Sequence, residues 1–243
     1  MPAPDQIIPA AGSIAAILPA AGSGQRFGAA SNKLFAELAG KPLWFHAASR
    51  LAGSKSVGRV VLVVSQADES VFKNRYAAMV EQLGVELVLG GSERTDSVQA
   101  GLDHLTDDSL VEWVAIHDAA RPLIRPSDMA AVFVAAQRTG AAILATPVPG
   151  TVKRGRLGNG GSRTVDRREL WLALTPQVFR IGLLRQAYQK HNGRPATDDA
   201  QLVERMGHEV TLVQGSADNL KITYPEDLSV AEAILATQLY QSK

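Results

Sequence analysis

The sequence predicts a doubly wound α/β fold: a mostly parallel sheet covered by helices on both faces, with a β-hairpin arm projecting from it. Three observations carry this. Short β-branched runs alternate with longer, helix-like segments as far as Val148, the pattern of βαβ units. The runs are apolar at successive positions, as in strands buried on both faces. Past Val148 the alternation gives way to a stretch rich in Gly and basic residues, which suits a hairpin and not a helix.

In chain order, strands are expected at residues 14–18, 59–64, 86–89, 113–116 and 141–148, with helices at 43–52, 67–83, 92–104 and 127–138. The arm follows, centred on Leu157-Gly158-Asn159-Gly160-Gly161 and flanked by residues 151–154 and 163–168. Helices resume at 181–190 and 198–206, a strand at 210–213, and a last helix begins after Tyr224-Pro225-Glu226-Asp227, where proline suits a first turn. No Pro/Ser linker divides the chain. The expected organisation is one domain over residues 14–243, with a dimerising arm at 148–168 inside it. Residues 1–13 are expected to be a disordered leader. Their Pro9-Ala10-Ala11-Gly12-Ser13 echoes Pro19-Ala20-Ala21-Gly22-Ser23, but only the second copy follows a strand and continues into Gly24-Gln25-Arg26.

Composition narrows the function classes. The 243 residues carry 25 basic and 24 acidic side chains, for a net charge of +1. That balance argues against a bulk nucleic-acid binder, so any anion site must be local. There is no cysteine, hence no disulfide. No run of about 18 apolar residues suggests a membrane helix. No Lys or Arg precedes the apolar stretches of the N-terminus, which makes a poor signal peptide. The cytoplasm is the expected compartment.

The first strand runs into Pro19-Ala20-Ala21-Gly22-Ser23-Gly24-Gln25-Arg26-Phe27-Gly28. Small residues and glycines let backbone N–H groups approach a polyphosphate, while Arg26 and Lys33 add charge. No Gly-Lys-Ser/Thr closes the loop, so it is not a P-loop. Phe27 stands where a dinucleotide fingerprint needs its third glycine. The fourth strand runs into His117-Asp118-Ala119-Ala120-Arg121-Pro122. A carboxylate at the carboxyl end of a parallel strand sits where open α/β sheets bind ligands. Facing a polyphosphate loop, Asp118 suits Mg²⁺, which needs few protein ligands. It also suits an ordinary turn. His117 reads as structural, with no second His at ligand spacing. Gly90-Gly91-Ser92-Glu93-Arg94-Thr95-Asp96-Ser97-Val98 follows the third strand. Its glycines permit close approach to a flat ligand such as a base, and Ser92 reads equally well as a helix N-cap. Thr164-Val165-Asp166-Arg167-Arg168 on the arm and Asp218-Asn219-Leu220-Lys221 near the C-terminus each read as either solvated charge or site.

Together these segments resemble the 2-C-methyl-D-erythritol 4-phosphate cytidylyltransferase family. The likeness is carried by Pro19-Ala20-Ala21-Gly22-x-Gly24-x-Arg26, Lys33, Gly40-Lys41-Pro42, Gly90-Gly91-x-x-Arg94-x-x-Ser97-Val98 and His117-Asp118-Ala119-Ala120-Arg121-Pro122. It continues through Thr164-Val165-Asp166-Arg167, Leu174-Thr175-Pro176-Gln177, Thr197-Asp198, Ala217-Asp218-Asn219-Leu220-Lys221 and Pro225-Glu226-Asp227-Leu228. The resemblance implies a Rossmann-like nucleotidyltransferase fold and transfer of CMP from CTP to the methylerythritol phosphate. It implies that Pro19, Ala20, Ala21, Gly22, Gly24, Arg26, Lys33, Gly91, Ser92, Ser97 and Ala119 face CTP. Asp118, Arg121, Thr151, Arg167, Thr197 and Lys221 would face the acceptor. Arg26, Lys33, Arg167 and Lys221 would be the catalytic cations. Asp118 and Asp218 would be the metal-side carboxylates for Mg²⁺ or another divalent cation. The implied partners are the two substrates and a second copy clasped through the arm, with no nucleic acid or membrane. Similar proteins usually carry Pro before the loop lysine, where this chain has Asn32, and often an acid where it has Ser92. A cytidylyltransferase for another polyol phosphate, such as ribitol 5-phosphate, would share most of these loops. A non-catalytic nucleotide-binding regulator should lack Lys33, Asp118 or Lys221, and all three are present.

Overall fold

A computed structural model describes residues 9–22, 27, 32–106, 109–156 and 158–241. The chain opens with β1 (Ile14–Pro19), a 3₁₀ turn (Lys33–Phe35), the short pair β2 (Glu37–Leu38) and β3 (Lys41–Pro42), and α1 (Leu43–Ala52). It continues through β4 (Val57–Val64), α2 (Gln66–Asn74), α3 (Ala77–Leu83), β5 (Val85–Leu89), α4 (Arg94–His104), β6 (Trp113–Ile116), α5 (Pro126–Thr139) and β7 (Ala141–Pro147). The arm strands β8 (Val152–Arg156) and β9 (Asn159–Val165) follow, then β10 (Trp171–Arg180), α6 (Ile181–Gln189), α7 (Asp199–Glu204), β11 (Thr211–Gln214) and α8 (Asp227–Gln241).

Seven strands form one sheet in the order β11-β7-β10-β6-β1-β4-β5. β1 pairs in parallel with both β4 and β6, β4 with β5, and β7 with β11. β10 runs antiparallel to both its neighbours. β1 obeys the two-residue period of a strand covered on both sides. Ile14, Ala16 and Leu18 face Trp44 and Leu51 of α1 and Phe133 of α5, while Ala15 and Ile17 face Val98 and Leu102 of α4 and Leu184 of α6. A Cβ on Gly101 would meet Cγ2 of Ile17 at 2.7 Å, so α4 lies directly on β1. A third cluster, with Leu38, Leu43, Leu123, Ile222 and Leu235, fastens α8 beside the site end.

The doubly wound sheet, its strands and the projecting hairpin are found where the sequence puts them, with four differences. The helix expected at 67–83 is two helices. Tyr76 breaks it by turning into the core, 5% exposed, against Phe35, Phe72 and Trp44 at centroid distances of 5.5, 6.0 and 5.8 Å. Ser92 is not the cap of α4; Glu93 is, in a reciprocal capping box with Asp96. β10 was not expected as a strand at all. Finally, residues 9–13, counted with the leader, form a turn: Gly12 N–H donates to Lys55 O at 3.0 Å and Ser13 Oγ to Ala10 O at 2.8 Å. Residues 1–8 lie outside the described residues.

Candidate active site

The strand order places β4 and β5 on one side of β1 and β6 on the other. The crevice between the carboxyl ends of β1 and β6 is therefore a topological switch point, where open α/β sheets bind ligands. The loop after β1 and the turn after β6 both open there. Two adjoining cavities occupy the crevice, of about 200 Å³ and about 240 Å³. Asp118, Arg94 and Lys221 line both and form the seam between them.

The first cavity is walled by Pro19, Ala20, Ala21 and Gly22 from the β1 loop, Lys33 from the 3₁₀ turn, Gly91, Ser92 and Ser97 around the start of α4, and Ala119 beside Asp118. Gly90 is absent from this wall. A Cβ there would meet Ser97 Oγ at 2.6 Å, Val63 Cγ1 at 2.9 Å and Ala21 Cβ at 3.1 Å, so this glycine packs the α4 loop against the β1 loop. Lys33 Nζ donates to Ile222 O at 2.9 Å, joining the loop after β1 to the C-terminal segment. The second cavity is walled by Arg121, Thr175, Gln177, Thr197 and Asp198.

The seam is a cluster of charges. Lys221 Nζ lies 2.9 Å from Asp118 Oδ2, and Arg94 Nε and Arg121 Nε lie 3.5 Å from Asp118 oxygens. Burial alone would raise the Asp118 carboxyl, but Lys221, Arg94 and Arg121 outweigh it and hold the group far below the usual carboxylate range. Arg94 is tied from behind. Its Nη2 donates to Asp199 Oδ2 at 2.7 Å, and the Tyr188 hydroxyl donates to Asp199 Oδ1 at 2.6 Å; Asp199 is fully buried. Gln177 fixes the start of α7, accepting from the Asp199 and Ala200 N–H groups at 3.1 and 3.0 Å and donating to Asp198 at 2.8 Å.

His117 is fully buried, and its burial pushes the imidazole down to about 4. A carbonyl only accepts, so His117 Nε2, 3.0 Å from Arg121 O, must carry the proton. Nδ1 is then an acceptor, and the Thr175 hydroxyl at 3.1 Å donates to it while accepting from the Asp118 N–H at 3.1 Å. This directed chain pins the turn that presents Asp118 and Arg121. Arg121 Nη1 donates to Asn219 O at 2.8 Å, and Asn219 Nδ2 to Thr175 O at 2.7 Å, which locks the segment bearing Lys221 to the same strand.

Of the residues singled out in the sequence, eleven described positions meet at the first cavity: Pro19, Ala20, Ala21, Gly22, Lys33, Gly91, Ser92, Ser97, Asp118, Ala119 and Lys221. Asp118, Arg121, Thr197 and Lys221 meet at the second. Gly24 and Arg26 lie outside the described residues. Thr151 and Arg167 line neither cavity. Both are exposed on the arm, with Arg167 Nη1 donating to Val148 O at 2.9 Å and also to Pro149 O. Asp218 also lines neither; its carboxylate pairs with Arg125. A larger hollow, about 730 Å³ between α1 and α5, contains none of the expected site residues.

Residues 14–237 match the family model described as IspD: 2-C-methyl-D-erythritol 4-phosphate cytidylyltransferase. The chain belongs to that family. A relative from Rhodopirellula baltica that bears the same description is 55% identical over 234 residues, spanning 93% of this chain and 96% of the relative. Another, from Pelotomaculum thermopropionicum, is 44% identical over 230 residues, spanning 91% and 94%. The crystal structure of the 2-C-methyl-D-erythritol 4-phosphate cytidylyltransferase from Thermus thermophilus matches with a TM-score of 0.73 at 33% identity, over 90% of this chain and 98% of that one. Arg94 and Asp199 were not among the expected site residues. Arg94 stood inside a quoted motif, but its partners lie 24 and 105 residues away in sequence, so no local spacing signals them. No helix among the described residues is long and apolar enough to cross a membrane.

Proposed function

We propose that this chain transfers CMP from CTP to 2-C-methyl-D-erythritol 4-phosphate, releasing pyrophosphate and forming 4-diphosphocytidyl-2-C-methyl-D-erythritol. One observation supports this most: two adjoining cavities of similar size share a cationic seam, the first framed by a phosphate loop and the second walled largely by polar side chains. CTP would take the first, with its phosphates along residues 19–22 and Lys33 and its base toward Gly91, Ser92 and Ser97. The acceptor would take the second, with Arg121, Thr197 and Lys221 around it. Its phosphate oxygen attacks the α-phosphorus in line, and the bond to pyrophosphate breaks. A phosphate monoester is already anionic, so no general base is required. The obstacle is repulsion between a dianion and a triphosphate, and positioning with charge neutralisation overcomes it. Lys33, Lys221, Arg94 and Arg121 supply that charge, joined in our reading by Arg26.

The described residues contain no group of three or more His, Asp or Glu that would hold a metal by themselves. Mg²⁺ in nucleotide sites relies on one or two carboxylates plus phosphates and water, and a strongly ionised Asp118 on the cavity wall fits that role. Bound there, the ion would neutralise part of the triphosphate charge. Asp218 lines neither cavity and is left out of the proposed metal set. Arg167 and Thr151 stand exposed on the arm and line neither cavity, and a two-stranded hairpin alone is marginally stable. We read the arm as clasping a second copy in a C₂ dimer, where both residues would reach the partner's acceptor. Pyrophosphate release is the test, with CTP against UTP and methylerythritol phosphate against ribitol 5-phosphate. A preference for CTP and the methylerythritol phosphate is expected; equal kcat/KM across the panel would defeat the assignment.

A further inference from the structure

Asn32 immediately precedes Lys33, at the start of the 3₁₀ turn. It is buried, 7% exposed, and every polar group of its side chain is engaged. Nδ2 donates to the carbonyl of Ala20 at 3.2 Å and to Asp68 Oδ2 at 2.9 Å, and Oδ1 accepts from the Leu34 N–H at 3.0 Å. The orientation of the amide is unambiguous, because a carbonyl and a carboxylate only accept and a backbone N–H only donates.

Each bond has a separate effect. The Leu34 bond caps the 3₁₀ turn whose first residue is Lys33. The Ala20 bond ties the end of the loop to its beginning, which is itself fastened to the neighbouring strand by Ala20 N–H donating to Val63 O at 2.7 Å. The Asp68 bond reaches the first turn of α2, where Ser65 Oγ donates to the same Asp68 oxygen at 2.6 Å and accepts from Asp68 N–H at 3.1 Å. One side chain thus joins β1, the lysine-bearing turn and α2.

We infer that Asn32 is a positioning residue that fixes Lys33 against the cavity beside the β1 loop. The inference rests on the reading of Lys33 as a cation for the nucleotide's phosphates. Misplacing such a group by about 1 Å costs up to about 10²-fold in rate, and partial loosening should cost about tenfold. Two variants separate chemistry from bulk. Asn32→Ala removes all three bonds. Asn32→Asp keeps the size and the Leu34 acceptor but sets a carboxylate against Ala20 O and Asp68.

The test measures kcat and KM for CTP in both variants, alone and in a Lys33→Ala background. Trace acetylation of Lys33, read by mass spectrometry, is measured in parallel, with thermal unfolding to confirm folding. We expect kcat to fall about tenfold in both single variants, no further fall when Lys33 is already alanine, and a several-fold change in Lys33 acetylation. Wild-type kcat and acetylation in both variants would overturn the inference, as would an equal loss with and without Lys33. Should Lys33→Ala itself prove fully active, the catalytic reading of Lys33 fails, and the acetylation rates alone then decide whether Asn32 holds it.

Discussion

Asp199→Asn tests the arrangement behind the seam. The substitution keeps the shape of the side chain but removes a charge that is fully buried, 2.7 Å from Arg94 Nη2 and 2.6 Å from the Tyr188 hydroxyl. Removing one partner of a buried ion pair costs about 3–5 kcal/mol, because the other charge is left uncompensated. Arg94 keeps 29% of its side-chain exposure and a second carboxylate, Asp118, at 3.5 Å, so the low end applies, about 3 kcal/mol. With a urea dependence of roughly 3 kcal/mol per M, the unfolding midpoint should fall by about 1 M. Arg94→Met alone should cost a similar amount. The double variant has no orphaned charge and should be about 2 kcal/mol more stable than the two single losses predict by addition. Urea titrations of the four proteins measure this. Losses that add to within about 0.5 kcal/mol would refute the coupling.

Lys33→Ala should lower kcat at least ~10²-fold, as the loss of comparable electrostatic donors does; stopped-time pyrophosphate assays read it. Activity should vanish in excess chelator, and Asp118→Asn should cut turnover sharply while the far-UV spectrum stays unchanged. Burial holds the folded His117 near 4 against an ordinary 6.5, so on acidification the unfolded chain binds the proton first, and stability from this group is lost as pH falls from 6.5 toward 4. Between pH 7 and pH 5 that is about 2 kcal/mol, and denaturation curves of His117→Gln should lack this part of the slope. Co-expressing Lys33→Ala and Arg167→Ala chains should restore roughly a quarter of wild-type activity if Arg167 serves the other subunit's site, since half the dimers then have one intact site of two. Mixed dimers no more active than their parents would refute the shared site.

The βα alternation made the sheet readable because each strand is local and apolar on both faces. β10 escaped for a physical reason. Pro176 inside Trp171-Leu172-Ala173-Leu174-Thr175-Pro176-Gln177 argues against a central strand, since proline cannot donate to a ladder. The sheet accommodates it with a register shift between Ala173 and Gln177 against β7. The cavity walls were readable wherever glycines and charges cluster beside a strand end, as with Lys33, Asp118, Arg121 and Lys221. What sequence could not supply was the second partner of each charge. Asp199 is one acid among 24, and only the folded chain brings it beneath Arg94. Asn32 likewise looked like a departure from a motif until its three hydrogen bonds gave it a task.

The single reversed strand also decides where the arm can be. β7 lies parallel to β1 and β6, so its last residue, Pro147, ends at the ligand-binding rim of the sheet. A parallel successor would have required a crossover back to the opposite rim. Because β10 runs the other way, Trp171 re-enters beside Pro147, and the chain between them never has to leave that rim. The arm is thus mounted at the mouth of its own crevice, like a handle beside a keyhole. Length and sequence can change along it without moving any strand of the sheet, so the arm can vary independently of the geometry that holds Asp118 and Arg94.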